Sequence, residues 1–339
     1  MKIISRNIVF LFLLIFTFFT FSDPLHAVGN SENSIKTLTI YSLRGPSGVG
    51  MIRLFETPPR IPGFDVKVEA VAQADLMAAR FISGEAKVGV LPPNIAAKIA
   101  SSGKDIRAAA IIGTGMLSLL SADPDVRSLN ELKGKTVEVA GQGGTPDYVF
   151  RKILSTQGLV PDRDLRLNYS LAYPEIAQSL VAGRVSIALL PEPFVTMALS
   201  GRPDLKPIID IQEAWIKAAG AGNNPAAAQM NYPMTIIAVD GAVADANAAA
   251  VEEILGAVKS SIEWVKANPA DAGALAEKYN LGISAAVAAA AIPKSNYVFI
   301  PAAEGRPSME ALFRVFLESA PASIGGSLPG DRFYLKPEN

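Results

Sequence analysis

The sequence contains no cysteine, and its only histidine is His26. The first absence rules out disulfides and thiol nucleophiles. The second, once His26 is assigned to a targeting segment, leaves no Ser-His-Asp or Cys-His centre. It also leaves no zinc site of the usual nitrogen and sulfur ligands. Carboxylate or lysine catalysis stays open. No excess of one charge exists either: Lys+Arg number 31 against Asp+Glu 32, a net charge of -1. A nucleic-acid partner would need a basic footprint, and none is present. What is abundant is apolar: 50% of the 339 residues are hydrophobic. That suffices for two lobes of ordinary domain size with buried cores.

Lys2 and Arg6 precede a nearly unbroken apolar run of 14 residues, Ile8 to Phe21. A polar, helix-breaking stretch follows and ends at Ala27. This is the layout of a secretory signal peptide over residues 1–27, with cleavage expected after Ala27. The run is shorter than the roughly 20 residues of a membrane span. An uncleaved anchor is the alternative. No cysteine is available to carry a lipid. Cleavage removes Lys2, Arg6 and Asp23, a net +1, so the remainder stands at -2. A freely soluble periplasmic protein is the expectation.

Beyond a polar stretch at 28–35, strand and helix patterns alternate. Strands are predicted at Leu38–Tyr41, Val66–Ala70, Val88–Leu91 and Ile106–Ile112, with helices over Gly50–Phe55, from Asp75 as N-cap to Ser83, and to about Ala100. The rhythm resumes with strands at Thr136–Ala140, Leu165–Tyr169 and Ile187–Leu190, and one more at Lys206–Ile211. Thr145 reads as the cap of the helix after the first of these, with Pro146 in its first turn, Asp147 favouring its positive end and Gly158 stopping it. Tyr232–Val239 reads as a strand returning to the first half, and the outward crossing is expected near Leu117–Asp123. Residues 246–319 read as helical. Val251, Ile254, Leu255, Val258, Ile262 and Val265 keep the spacing of a buried stripe. Short apolar strands alternating with helices argue for an α/β fold with mainly parallel sheets.

The densest signal is Ser128–Met197. Leu132-Lys133-Gly134-Lys135 precedes a strand, Gly141-Gln142-Gly143-Gly144-Thr145-Pro146 joins it to a helix, and a β/α unit ends in Pro191-Glu192-Pro193-Phe194. The Gly-rich stretch lacks the Gly-Lys-Ser/Thr of a P-loop and the spacing of a dinucleotide fingerprint. It is either a ligand-contacting loop with backbone donors at a helix N-terminus, or a plain turn that needs glycine.

This order resembles the second lobe of the solute-binding proteins of ABC importers, in the nitrate/sulfonate/taurine and thiamine-precursor (SsuA/THI5-like) family. Glu192-Pro193-Phe194 is similar to that family's Glu-Pro-aromatic motif, with Leu190-Pro191 where an aromatic is usual. The resemblance implies a type II periplasmic-binding-protein clamshell. Lobe one would be residues 36–117 plus 235–339, lobe two 118–234, with two hinge crossings. Ligands in such sheets sit beyond the carboxyl ends of the strands. It further implies a small-molecule solute and an ABC permease as partners, no cofactor, no metal and a monomer.

The candidate ligand-binding residues follow from those strand ends. Ser42, Arg44, Gly45 and Ser47 follow the first strand. Arg44 is the one cation in these loops, the natural partner of a sulfonate or carboxylate, or else a solvated surface arginine. Pro93 and Asn94 follow the third strand, and Asn94 serves equally as donor or as helix cap. Gly115 follows the fourth. Lobe two offers Gln142, Gly143, Gly144, Thr145, Tyr148, Glu192 and Phe194, and Tyr232 at the return crossing offers a ring to stack on a planar ligand. Tyr148 and Phe194 serve equally as core or turn-shaping residues. An organic anion is expected slightly ahead of a heteroaromatic. A sensor of the same fold is the alternative role. An enzyme is disfavoured, because the pyrimidine-forming relatives use a histidine, and none remains once residues 1–27 are removed.

Overall fold

Two mixed sheets, each flanked by helices, make up the described part of the chain. The computed structural model describes residues 36–220 and 231–336. The segment read as a signal peptide lies outside them. The described residues form one compact unit.

The first sheet contains β1 (Lys36–Leu43), β2 (Phe64–Val71), β3 (Val88–Leu91), β4 (Ile106–Thr114), β10 (Pro233–Asp240) and β11 (Tyr297–Pro301), in the order β11-β4-β10-β3-β1-β2. The second contains β5 (Leu117–Ser121), β6 (Thr136–Val139), β7 (Arg166–Asn168), β8 (Ile187–Pro191) and β9 (Lys206–Asp210), in the order β7-β6-β8-β5-β9. β1 pairs parallel with β2 and β3, and β6 pairs parallel with β7 and β8. The sheets are mixed, because three strands run against the rest: β11, antiparallel to β4, and the two strands β5 and β10. β5 is antiparallel to β8 and β9, and β10 to β3 and β4. These are the first strands the chain makes after each crossing. A chain that enters a sheet at the carboxyl ends of its parallel strands can only run away from them, so both entering strands must be antiparallel.

Several boundaries differ from the sequence reading. β1 is longer at both ends, which draws Ser42 into the sheet. The helix expected at Gly50–Phe55 is two short ones, Pro46–Gly50 and Ile52–Glu56, so Ser47 is helical rather than in a loop. Gln73, not Asp75, caps the helix Ala74–Ser83, and Asp75 lies in its first turn. The outward crossing is Gly115–Met116, because Leu117–Ser121 pairs with β8. β11 interrupts the stretch read as helical. Its Tyr-Val-Phe-Ile run carries ordinary strand propensity, hidden by the Ala-rich helices on either side.

Side-chain stripes hold helices to both faces. On the helix Ala248–Ala267, Val251, Ile254, Val258, Ile262 and Val265 are buried. Each such side chain contributes about 1.5–3 kcal/mol of burial. A continuous apolar cluster joins the two sheets, with Val137, Val149, Phe150 and Ile153 on one side and Leu312, Phe313 and Phe316 on the other.

The crossings are tied together. Gly115 N–H donates to the Tyr232 carbonyl at 2.9 Å, and Glu192 N–H to the Met116 carbonyl at 2.9 Å. Gln212 Oε1 accepts from both the Leu117 N–H (3.1 Å) and the Tyr232 hydroxyl (2.9 Å). The Tyr232 ring meets Trp215 edge-on at 5.5 Å. No Cβ fits on Gly115: one built there lies 2.5 Å from two Tyr232 ring atoms and 2.7 Å from Asn231 Oδ1. Gly115→Ala is expected to destabilise the protein by about 1–3 kcal/mol through overpacking. Urea unfolding followed by fluorescence measures this, and an unchanged midpoint would remove close approach as the reason for glycine here.

Candidate functional site

The carboxyl ends of the parallel strands in both sheets point at the crossings. β8 ends opposite Leu117, the first residue after the outward crossing. β4 ends opposite Pro233, the first strand residue after the return. The turns after β1, β3, β4, β6 and β8 therefore gather along the two edges that flank the crossings. Most of the sequence-derived residues stand there: Arg44, Gly45 and Ser47 after β1, Pro93 and Asn94 after β3, Gly115 after β4, Gln142 to Thr145 after β6, and Glu192 and Phe194 after β8.

Two candidates do not line this region. Ser42 is fully buried inside β1 and donates its hydroxyl to the Leu43 carbonyl at 3.1 Å. Tyr232 is fully buried, held by Trp215 on its edge and Gln212 on its hydroxyl. It packs the floor under the crossings instead of offering a face to a ligand. Tyr148 is half-buried, and its ring lies 4.7 Å from Phe316, so it joins the two halves of the chain. Phe194 is buried and stacked on Tyr173 at 5.8 Å with 18° between planes.

The turn after β1 offers a free cation. Arg44 is exposed, and its side chain has no partner among the described residues, while its N–H is fixed to the Val71 carbonyl at 2.9 Å. Gly45 beside it has φ +90°, a conformation that favours glycine. Asn94 is the second residue of the helix Pro93–Ser101, whose cap is Pro92. It is no cap; its Oδ1 is buried with no partner among the described residues.

The second-sheet side is built differently from the sequence reading. The helix Thr145–Thr156 is capped by Gly144, and Thr145 is its first residue. The Thr145 hydroxyl is buried without a partner among the described residues. The capping function falls to Asp147. Its Oδ2 accepts the Gly143 N–H at 2.9 Å, and its Oδ1 accepts Arg151 Nε and the Tyr169 hydroxyl, both at 2.6 Å. Gly144 N–H is bonded to the Gly141 carbonyl at 2.9 Å. The Gly143 and Gly144 N–H groups are thus taken up within the loop, contrary to the reading of them as free ligand donors. Burial and the bond to Asp147 both push the Tyr169 phenol pKa upward, so it stays a donor. The Asp147-Arg151 pair was legible as an i,i+4 spacing. Tyr169, 22 residues on, was not.

A similar arrangement recurs after β8. Glu192 Oε2 accepts the Thr196 N–H at 3.0 Å, at the start of the helix Phe194–Gly201. Glu192 is 5% exposed, and burial raises its pKa above the ordinary 4.5, opposed by the Thr196 bonds and by Lys294. A raised folded-state pKa adds stability at pH values below the unfolded-state value, and that contribution disappears as pH rises through the folded-state value. Glu192→Gln does not titrate. The stability of the wild type relative to E192Q is therefore expected to fall as pH rises from 4 through the mid-acid range. Urea midpoints of the two proteins across that range measure it; a difference that stays flat or grows with pH would contradict the raised pKa.

Comparisons with known proteins agree with this geometry. No curated protein matches the chain. A crystal structure of an ABC transporter from Parabacteroides distasonis superposes with a TM-score of 0.75 at 25% identity, covering 89% of this chain and 100% of that one. The periplasmic aliphatic sulphonate binding protein SsuA of Escherichia coli shares the fold, with a TM-score of 0.69 at 16% identity over 89% of this chain and 93% of its own. So does the periplasmic nitrate-binding protein NrtA of Synechocystis, with a TM-score of 0.58 at 13% identity over 75% and 69%. The two-lobed periplasmic-binding-protein fold expected from the sequence is thus the fold observed. The NMT1/THI5-like family profile matches residues 62–272, and the chain belongs to that family.

Proposed function

We propose that this protein is the solute-binding component of an ABC importer. It works in the periplasm after removal of residues 1–27, closes two lobes on a small organic solute and hands it to a membrane permease. The observation that carries this reading is the convergence of five strand-end turns from two sheets on a double crossing with interlocked hydrogen bonds. Family membership and the likeness to the P. distasonis ABC transporter support it. Among the described residues no helix is long and apolar enough to cross a membrane. The lobe division we propose falls at Gly115–Met116 and at Asn231–Tyr232, where the chain passes between sheets.

The mechanism follows from the architecture. Rotation about the two crossings brings the strand-end turns of the lobes together. The solute drives closure only through contacts it makes in the closed state and lacks in the open one. The role is capture and release, without chemistry on the solute. Arg44 is the group we assign to meet an anionic part of a solute.

Two measurements test the role. The chain from Val28 to Asn339, unfolded and refolded to strip bound solute, is screened by thermal shift against sulfonates, nitrate, taurine, pyrimidines, thiamine and flavins. A solute at ~100 times its Kd adds about 2.7 kcal/mol of stability. One or more hits are expected; silence across the panel and no co-purifying solute would overturn the binding role. For a hit carrying an acidic group, Arg44→Ala is expected to weaken binding by more than ~1.5 kcal/mol. An unchanged Kd would remove Arg44 from the site.

A further inference from the structure

The second lobe presents two helix N-termini at strand ends, the usual places for an oxyanion. Each already has one of the protein's own carboxylates against it. Asp147 lies over the first turn of Thr145–Thr156 and takes the Gly143 N–H. Glu192 lies at the start of Phe194–Gly201 and takes the Thr196 N–H. Both side chains are buried, Asp147 at 2% and Glu192 at 5% exposure. Neither can swing away without leaving a buried N–H unpaired.

The two carboxylates are not equivalent. Asp147 is balanced by Arg151 and held by the Tyr169 hydroxyl, so its charge is fixed in place. Glu192 has no ion-pair partner among the described residues. Its neighbouring cation, Lys294, is exposed and makes no direct bond to it. Beside the Asp147-capped turn, the Thr145 hydroxyl is buried and unpartnered. A buried polar group without a partner is disfavoured unless something else satisfies it. An incoming oxyanion would meet two carboxylates, with the Gly143, Gly144 and Thr196 N–H groups already taken. An incoming N–H or ammonium group would meet the Glu192 carboxylate and the unpartnered Thr145 hydroxyl oxygen.

We propose that Asp147 and Glu192 set the solute class: lobe two receives the hydrogen-bond-donating or cationic end of the solute and turns oxyanions away, leaving any acidic end to Arg44 in lobe one. This rests on the solute-binding reading above. It departs from the sequence expectation, which put an organic anion slightly ahead.

The test is an amide-shift titration of the 15N-labelled protein, stripped of solute, with inorganic sulfate and with methylammonium at constant ionic strength. The reporters are the amides of Gly141, Gln142, Gly143, Thr145 and Thr196. In the wild type, methylammonium is expected to give saturable shifts and sulfate none. Glu192→Gln is expected to weaken methylammonium. Asp147→Ala or Glu192→Gln is expected to tighten sulfate roughly tenfold or more, because a like charge within a few ångströms is removed. Glu192→Gln keeps the shape of the side chain, so the test survives if Asp147→Ala fails to fold. Saturable sulfate shifts in the wild type, no methylammonium response, or no gain of sulfate binding in Glu192→Gln would each overturn the proposal. Those outcomes leave the solute panel untouched: a panel hit with sulfate bound at these amides sinks only this inference. A silent panel without co-purified solute sinks the binding role itself.

Discussion

The constraint on which the rest depends is where the chain changes sheets. Both crossings occur at the carboxyl ends of the parallel strands, so β5 and β10 must each enter antiparallel. That placement brings every functional turn to one seam. It also puts two backbone segments side by side, with Gly115 bonded to Tyr232 and Glu192 to Met116. The close approach leaves no room for a side chain on residue 115 and requires something large and flat beneath it. Tyr232 fills that place, and its hydroxyl and the Leu117 N–H converge on the one oxygen of Gln212. The seam is therefore a packed, hydrogen-bonded object, and the Tyr232 ring and the Gln212 amide oxygen are taken up in building it.

The same logic governs the polar groups. A buried backbone N–H at a helix start needs an acceptor. In lobe two that acceptor is built in: Asp147 for Gly143, Glu192 for Thr196. Arg151 and Tyr169 then converge on Asp147, which stiffens the turn after β6. In lobe one the corresponding helix, Pro93–Ser101, starts with a proline cap and proline at N1. Proline carries no N–H, so fewer donors stand at that end. Asn94 contributes instead an amide whose oxygen is left over. The two lobes reach the seam with different chemistry.

How much of this was legible in the sequence depends on whether the cause was local. β3 was read to the residue, because Val-Gly-Val-Leu is bounded by Lys87 and by two prolines. The order of elements in Ser128–Met197 and the family motifs were equally local. The errors arose where a distant partner decides. Thr145 has the composition of a cap, but Asp147, supported by Tyr169 from the next strand, takes the donor further upstream. Ser42 looked like a loop residue because the apolar run ends at Tyr41; pairing with β2 carries the strand two residues on. Tyr232 looked like a stacking platform, and only Trp215 and Gly115 show it to be floor. β11 pairs with β4 across nearly 200 residues of chain, and no short window contains that pairing.

Closure must also respect the apolar cluster that runs through both sheets. The helix Ala302–Ser319 of the first lobe lies against Thr145–Thr156 of the second, with Phe316 on Tyr148 and Lys152 paired to Glu318 at 2.7 Å. The ion pair is largely exposed and contributes little, on the order of 1 kcal/mol or less. The ring contact and its apolar surroundings therefore dominate. Packed interiors do not stretch; they hold one arrangement or exchange it for another. A rotation of the lobes either pivots on the Tyr148–Phe316 contact or breaks it. Tyr148 is one residue beyond Asp147, so movement at that contact reaches the turn whose Gly143 N–H Asp147 holds. The loop after β6 and the lobe-to-lobe contact are then two ends of the same helical turn. The chemistry at one end and the geometry at the other change together.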